Sequence, residues 1–172
     1  MSADEIIRRP PFSDDAPGMW RLVEESTTLD HNSGYVYLLV AEMFAQSSTV
    51  ALQQKRIVGL VTGFRVPGRT DTLFVWQMRV DAIARGRGLA LAMIEDIIDR
   101  LGDDISFVEA TVDPANVASC AVFAALARKR GGEVSSEPFV REGDFPNIIG
   151  APHDENRLTI GPFRRPPVEA PE

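Results

Sequence analysis

The chain has 172 residues, 44% of them hydrophobic and 25% charged, which suffices for one core and not for two ordinary domains; a single domain over 1–163 with a mobile tail over 164–172 is expected. Its 25 acidic residues outnumber 18 basic ones, for a net charge of -7, and no basic block stands apart, so a nucleic-acid partner is not expected. Cys120 is the sole cysteine and excludes an intramolecular disulfide, while the absence of a signal-like or bilayer-length apolar run predicts a soluble, cytoplasmic protein without membrane contact.

In chain order, Ile6 and Ile7 begin a short strand that Pro10 and Pro11 end. Ala16, Met19, Trp20 and Val23 follow at helical spacing, with Ser13, Asp14 and Asp15 as candidate caps and Pro17 in the permitted first turn. A polar stretch separates this helix from a second, in which Val36, Leu39, Val40, Met43 and Phe44 keep one apolar face. The period then changes. Thr49 to Gln53, Ile57 to Arg65 and Leu73 to Val80 are rich in β-branched and aromatic residues between short breaks, and read as three antiparallel strands. Beyond Val80, Arg85-Gly86-Arg87-Gly88 opens a helix through Ala90, Met93, Ile94, Ile97 and Leu101. Ser106 to Val112 reads as a fifth strand, and Asp113 or Asn116 starts a helix through Val117, Cys120, Ala124 and Leu126 that Gly131 and Gly132 stop. The remainder is read as a Pro- and Gly-bearing loop around Gly143 to Pro152 and a last strand at Arg157 to Ile160.

The turn Arg85 to Ala90 follows a strand and opens a helix, where first-turn amides and the positive end of the helix dipole converge on an anion. Glycines permit close approach, and Arg85 and Arg87 add charge. A dinucleotide fingerprint and a P-loop are both excluded, because the third glycine of the first and the Lys-Ser or Lys-Thr pair of the second are missing. Read on their own residue types, Asn116 suits a plain helix cap and Ser119 a helix-surface hydroxyl.

Arg85, Gly88 and Ala90 occupy the defining places of R/Q-x-x-G-x-G/A, and the segment thereby resembles the coenzyme A pyrophosphate loop of the GNAT acetyltransferases. The resemblance implies an α+β fold: a mixed, mostly antiparallel sheet of roughly six to seven strands with about four helices, splayed between the fourth and fifth strands. It implies acetyl-CoA as co-substrate, held by Arg85, Gly86, Arg87, Gly88, Leu89 and Ala90, by the backbone at Met78 and Val80, and by Asn116 and Ser119 in the second cofactor motif. Longer segments, Leu29-Asp30-His31-Asn32-Ser33-Gly34-Tyr35-Val36-Tyr37-Leu38-Leu39, Leu73-Phe74-Val75-Trp76-Gln77, Ala84-Arg85-Gly86-Arg87-Gly88-Leu89-Ala90, Asn116-Val117-Ala118-Ser119 and His153-Asp154-Glu155, are similar to the diaminobutyrate acetyltransferases, the ectoine-pathway branch of that family. Homodimers are common among such enzymes.

The chemistry is consistent with such a substrate. An aliphatic ammonium, pKa about 10, must lose a proton before attacking a thioester, and a diamino acid needs anions for its ammonium groups and donors for its carboxylate. Asp30 and Glu155 are the expected anions and the candidate catalytic groups; Asn32, Tyr35, Tyr37, Trp76, Thr111 and His153 are the expected substrate contacts. Apart from the resemblance, Asp30 equally suits a cap of the second helix, Glu155 a solvated loop position and Trp76 the core. Neither histidine has metal-ligand spacing, so no metal is expected. Where many family members carry the tyrosine that protonates the leaving thiolate, this chain has Phe123. The proton then comes from the Tyr35 to Tyr37 region or from solvent, or the thiolate leaves unaided. Other small amines as acceptors, and a non-catalytic coenzyme A sensor, are the rival expectations.

Overall fold

A computed structural model describes residues 5–26, 32–141, 143–144 and 154–163. Asp30, His31 and His153, and the expected tail over 164–172, lie outside these. The elements run β1 (Ile6–Arg9), α1 (Ala16–Glu24), α2 (Gly34–Met43), β2 (Thr49–Gln53), β3 (Arg56–Val66), β4 (Arg69–Val80), α3 (Leu89–Leu101), β5 (Phe107–Val112), α4 (Val117–Arg130), β6 (Glu133–Val140) and β7 (Glu155–Gly161). The strands form one sheet in the order β1-β2-β3-β4-β5-β7-β6, with β4 and β5 parallel and the other described pairs antiparallel.

One apolar layer joins the sheet to α3 and α4. Met93, Ile94 and Ile97 of α3 are fully buried against Val61, Leu73, Val108 and Ile160; burying each such side chain contributes roughly 1.5–3 kcal/mol. The other layer lies under α1 and α2, where Met19, Val23, Tyr37 and Val40 meet Val50 and Leu60. Arg100 of α3 ties the layers together at the sheet's edge, donating to the carbonyls of Gln46 and Ser48 and to Thr49 Oγ1, each at 2.9 Å.

Three details differ from the expected elements. β6 was not anticipated: Ser135-Ser136-Glu137-Pro138 offers no apolar alternation, because this edge strand is exposed along nearly its whole length and answers to no core. Asp15 stands at the cap position of α1 without capping it, because its carboxylate is taken by Arg9 at 2.6 Å and by the Phe12 amide at 2.7 Å. β7 begins at Glu155, so that residue belongs to a strand, paired with Val140, and not to the preceding loop.

Two features of β4 shape the centre of the molecule. Its pairing with β5 runs from Thr72 with Phe107 to Val75 with Ala110, after which β4 continues to Val80 and β5 to Val112 without pairing with each other. Against β3 the register passes from Val75 with Gly63 to Gln77 with Thr62, so Trp76 is an extra residue, a β-bulge. The bulge reverses the alternation. Leu73 and Val75 before it, and Met78 and Val80 after it, face the α3 and α4 layer. Gln77 and Arg79 reach Tyr37 of α2 and the end of α1.

Beside this, Glu109 is buried and bound in bidentate fashion by Arg69, at 2.6 and 2.9 Å. The Arg69 hydrogen bonds hold the Glu109 carboxyl below its ordinary value; burial opposes this, and Arg157 and Thr159 assist. A depressed folded pKa contributes stability that is present above the unfolded value and is lost as pH falls through the folded one. Glu109→Gln is therefore expected to lose about 1 kcal/mol at pH 7, since the arginine is half-exposed. Urea unfolding between pH 7 and pH 3 should show the gap from wild type closing in the acid range.

Candidate acetyl-transfer site

The unpaired ends of β4 and β5 open a cleft, and two cavities fill it. The first, about 270 Å³, is lined by Asn32, Trp76, Gln77, Thr111, Asp113, Phe123 and Glu155 among others. The second, about 560 Å³, is lined by Glu25, Arg79, Val80, Arg85, Ala90 and neighbours on α4. Met78, Asn116 and Ser119 line both, so the two are halves of one passage.

The larger half ends at the start of α3. Gly86 and Gly88 have φ of +74° and +68°, the left-handed region that side chains rarely adopt, and Gly88 is the residue from which α3 begins. Together they turn the chain so that the Leu89 and Ala90 amides, which no preceding turn can satisfy, open the helix beside the cavity. Leu89 sinks its side chain into the core, leaving only its backbone for a ligand. Arg85 folds back to donate from Nε to the Val80 carbonyl at 3.1 Å, and Arg87 is exposed. On the far wall Asn116 caps α4, its Oδ1 accepting the Ser119 amide at 3.1 Å. Asn116 thus caps α4 and also lines the cleft.

The smaller half gathers Asn32, Trp76, Thr111 and Glu155 from four separate stretches of chain. Trp76 is 44% exposed at the bulge and is not a core residue. Two expected contacts stand elsewhere. Tyr35 is exposed on α2 and lines neither cavity, and Tyr37 is fully buried behind the wall, its hydroxyl donating to Gln77 Oε1 at 3.0 Å. Burial pushes the Tyr37 phenol above its ordinary value, although hydrogen bonds with Asn32 and Gln77 act the other way. The helical period of α2 explains the separation, since positions two apart cannot share a face. Three further residues were not foreseen: Gln77, Arg79 and Asp113. For the first two the available signal was a polar residue in an otherwise apolar strand, but the facing is set by the bulge. No lysine or arginine lines the smaller half among the described residues, while Asp113 and Glu155 both do.

The model of the acetyltransferase (GNAT) family matches residues 9–127. The chain belongs to that family. Relatives over nearly the full length are L-2,4-diaminobutyric acid acetyltransferases: that of Marinococcus halophilus is 39% identical over 95% of this chain and 94% of its own, and that of Bordetella parapertussis 43% over 92% and 86%. Among solved structures, the diaminobutyrate acetyltransferase EctA from Paenibacillus lautus, in complex with its substrate L-2,4-diaminobutyric acid and coenzyme A, superposes with a TM-score of 0.88 at 31% identity, covering 94% of this chain and 98% of that one. The ribosomal-protein-S18-alanine N-acetyltransferase of Escherichia coli, at 14% identity and a TM-score of 0.65, shares the fold alone.

As a GNAT protein the chain has the splayed β4 and β5 pair that the sequence resemblance implies. Among its described residues no group of acidic, histidine or cysteine side chains could hold a metal, and no helix is long and apolar enough to cross a membrane. At Gly88 an added Cβ would meet nothing within 4 Å, so the constraint there is conformational. Gly88→Ala is expected to cost about 1 kcal/mol and to lower Tm by about 3 °C. Gly88→Asn, which tolerates left-handed backbone better, should cost less in the same thermal unfolding measurement.

Proposed function

We propose that this protein transfers the acetyl group of acetyl-CoA to the γ-amino group of L-2,4-diaminobutyrate, giving N4-acetyl-L-2,4-diaminobutyrate and coenzyme A, the acetylation step of ectoine biosynthesis. The observation that carries the reading is the two-part cleft: an anion-suited helix start joins a cavity lined by carboxylates and neutral amides and hydroxyls, with no lining cation among the described residues. That lining favours an acceptor with more ammonium than carboxylate charge. The full-length similarity to diaminobutyrate acetyltransferases supports the same acceptor.

The coenzyme A diphosphate sits against the amides from Gly86 to Ala90, with Arg85 and Arg87 adding charge. The pantetheine arm follows Met78 and Val80 between the splayed strands, facing Asn116 and Ser119. Asp30 takes the proton of the reacting ammonium, directly or through water, and Glu155 holds an ammonium from the other side together with His153. Asn32, Thr111 and the Trp76 indole orient the rest of the substrate. The neutral amine attacks the thioester carbon, whose carbonyl oxygen is polarised by a backbone N–H near Val80. The tetrahedral intermediate then loses the remaining surplus nitrogen proton to solvent, collapses and expels the thiolate. Phe123 lines the cavity without any proton to give, so the thiolate departs on its own acidity or takes a proton from solvent. No covalent acyl-enzyme is involved. The working unit is a homodimer of single-domain chains spanning 1–163, in the cytoplasm.

Mixing acetyl-CoA and diaminobutyrate with the protein should release free thiol, and mass spectrometry with NMR should locate the acetyl group on the γ nitrogen. Asp30→Asn should lower kcat by about 10²–10⁴-fold, and kcat/KM should rise with pH toward the ammonium pKa of about 10. Ping-pong kinetics would overturn direct transfer. Coenzyme A binding without thiol release for any amine would favour the sensor.

A further inference from the structure

Two carboxylates line the acceptor cavity, Asp113 and Glu155, and they reach it from neighbouring strands. The last pair between β5 and β7 is Val112 with Asn156, so Asp113 and Glu155 come next along the two chains, in facing positions at the strand ends. Facing residues of antiparallel strands bring their side chains within about 5 Å, where like charges are unfavourable unless something offsets them. Elsewhere on this part of the sheet something does. Glu109, earlier on β5, is bound by Arg69 at 2.6 Å; Glu137 on β6 is bound by Arg157 at 2.6 Å; Asp154, just before β7, has Arg141 at 3.8 Å. Neither Asp113 nor Glu155 has an ion pair among the described residues. Asp113 is nonetheless fixed in place. Its Oδ1 accepts the Ala115 amide at 2.7 Å and its carbonyl accepts the Asn116 amide at 2.8 Å, in the turn that leads to α4. One carboxylate oxygen serves the turn, which leaves Oδ2 for a ligand in the cavity.

We propose that Asp113 is a specificity-determining residue: with Glu155 it forms a carboxylate pair that binds the ammonium of the acceptor that is not acetylated, and so selects a diamino acid over a monoamine of the same length. The inference rests on the acetyl-transfer reading above and deepens it. An ammonium between the two carboxylates offsets their repulsion and hydrogen-bonds to both, so the pair holds it more firmly than either carboxylate alone would. With the second nitrogen anchored at the ends of β5 and β7, the γ nitrogen is the one left to approach the thioester.

The test compares Asp113→Asn with wild type. Asparagine keeps an oxygen for the Ala115 amide and removes the charge, so the turn is preserved while the pair is broken. Steady-state kinetics with diaminobutyrate is set beside competitive inhibition by 4-aminobutyrate, which has the same carbon chain and lacks the α-ammonium. Because the pair touches only the end that does not react, Asp113→Asn is expected to raise KM for diaminobutyrate about tenfold and to leave kcat within about twofold. The inhibition constant of 4-aminobutyrate and KM for acetyl-CoA should both stay within about twofold of wild type. An unchanged KM for diaminobutyrate would overturn the proposal. So would a KM and an inhibition constant that rise by the same factor, which is what a merely structural turn residue would give. A wild type that does not turn over diaminobutyrate would overturn the substrate reading and this inference with it, whereas turnover by a wild type and an Asp113→Asn variant that behave alike would overturn this inference alone.

Discussion

β4 and β5 pair for four residues and then part, and the parting is what gives the protein an interior that a ligand can enter. Beyond Val75 and Ala110, backbone amides and carbonyls that a neighbouring strand would have satisfied are available to something else. A flexible, amide-bearing cofactor arm is a suitable partner for them. The extra residue at Trp76 sits at this point in β4, where it turns an indole toward the opening and reverses the facing of the residues that follow.

The two halves of the cleft have different electrostatic characters because different kinds of structure build them. At the start of α3 the charge is backbone charge: unsatisfied amides and a dipole, exposed by two glycines and reinforced by exposed arginines. On the other side the charge belongs to side chains at strand ends and is negative, with Asp113 following β5 and Glu155 opening β7. An anionic cofactor and a cationic acceptor are thereby drawn to opposite ends of one passage, with the transferred group between them.

Much of the fold was legible beforehand. β-Branched and aromatic runs between short breaks located β2, β3 and β4, and helical spacing located α3 and α4, with boundary errors of a few residues, because the strands lie between two apolar layers and the helices bury one side. β6 was missed because it buries none. The turn at the larger half was legible for a further reason: it is contiguous in the chain, and contiguity is what a sequence displays. Arg85 and Ala90 do border the larger cavity, and Asn116 and Ser119 face them across it.

The acceptor half was readable only in part. Asn32, Trp76, Thr111 and Glu155 come from distant segments, and resemblance to relatives, not spacing, suggested them. The residue types and their order determined by themselves the helical spacing, the β-rich middle and the glycine-bearing turn before a helix, since these depend on neighbours within a few positions. Only the tertiary structure decided that Tyr37 stands behind the wall, that Trp76 is exposed and that Gln77 and Arg79 face α1 and α2. The facing of Trp76, Gln77 and Arg79 depends on where one strand gains a residue against its partner, and a register shift leaves no mark in the pattern of a lone strand.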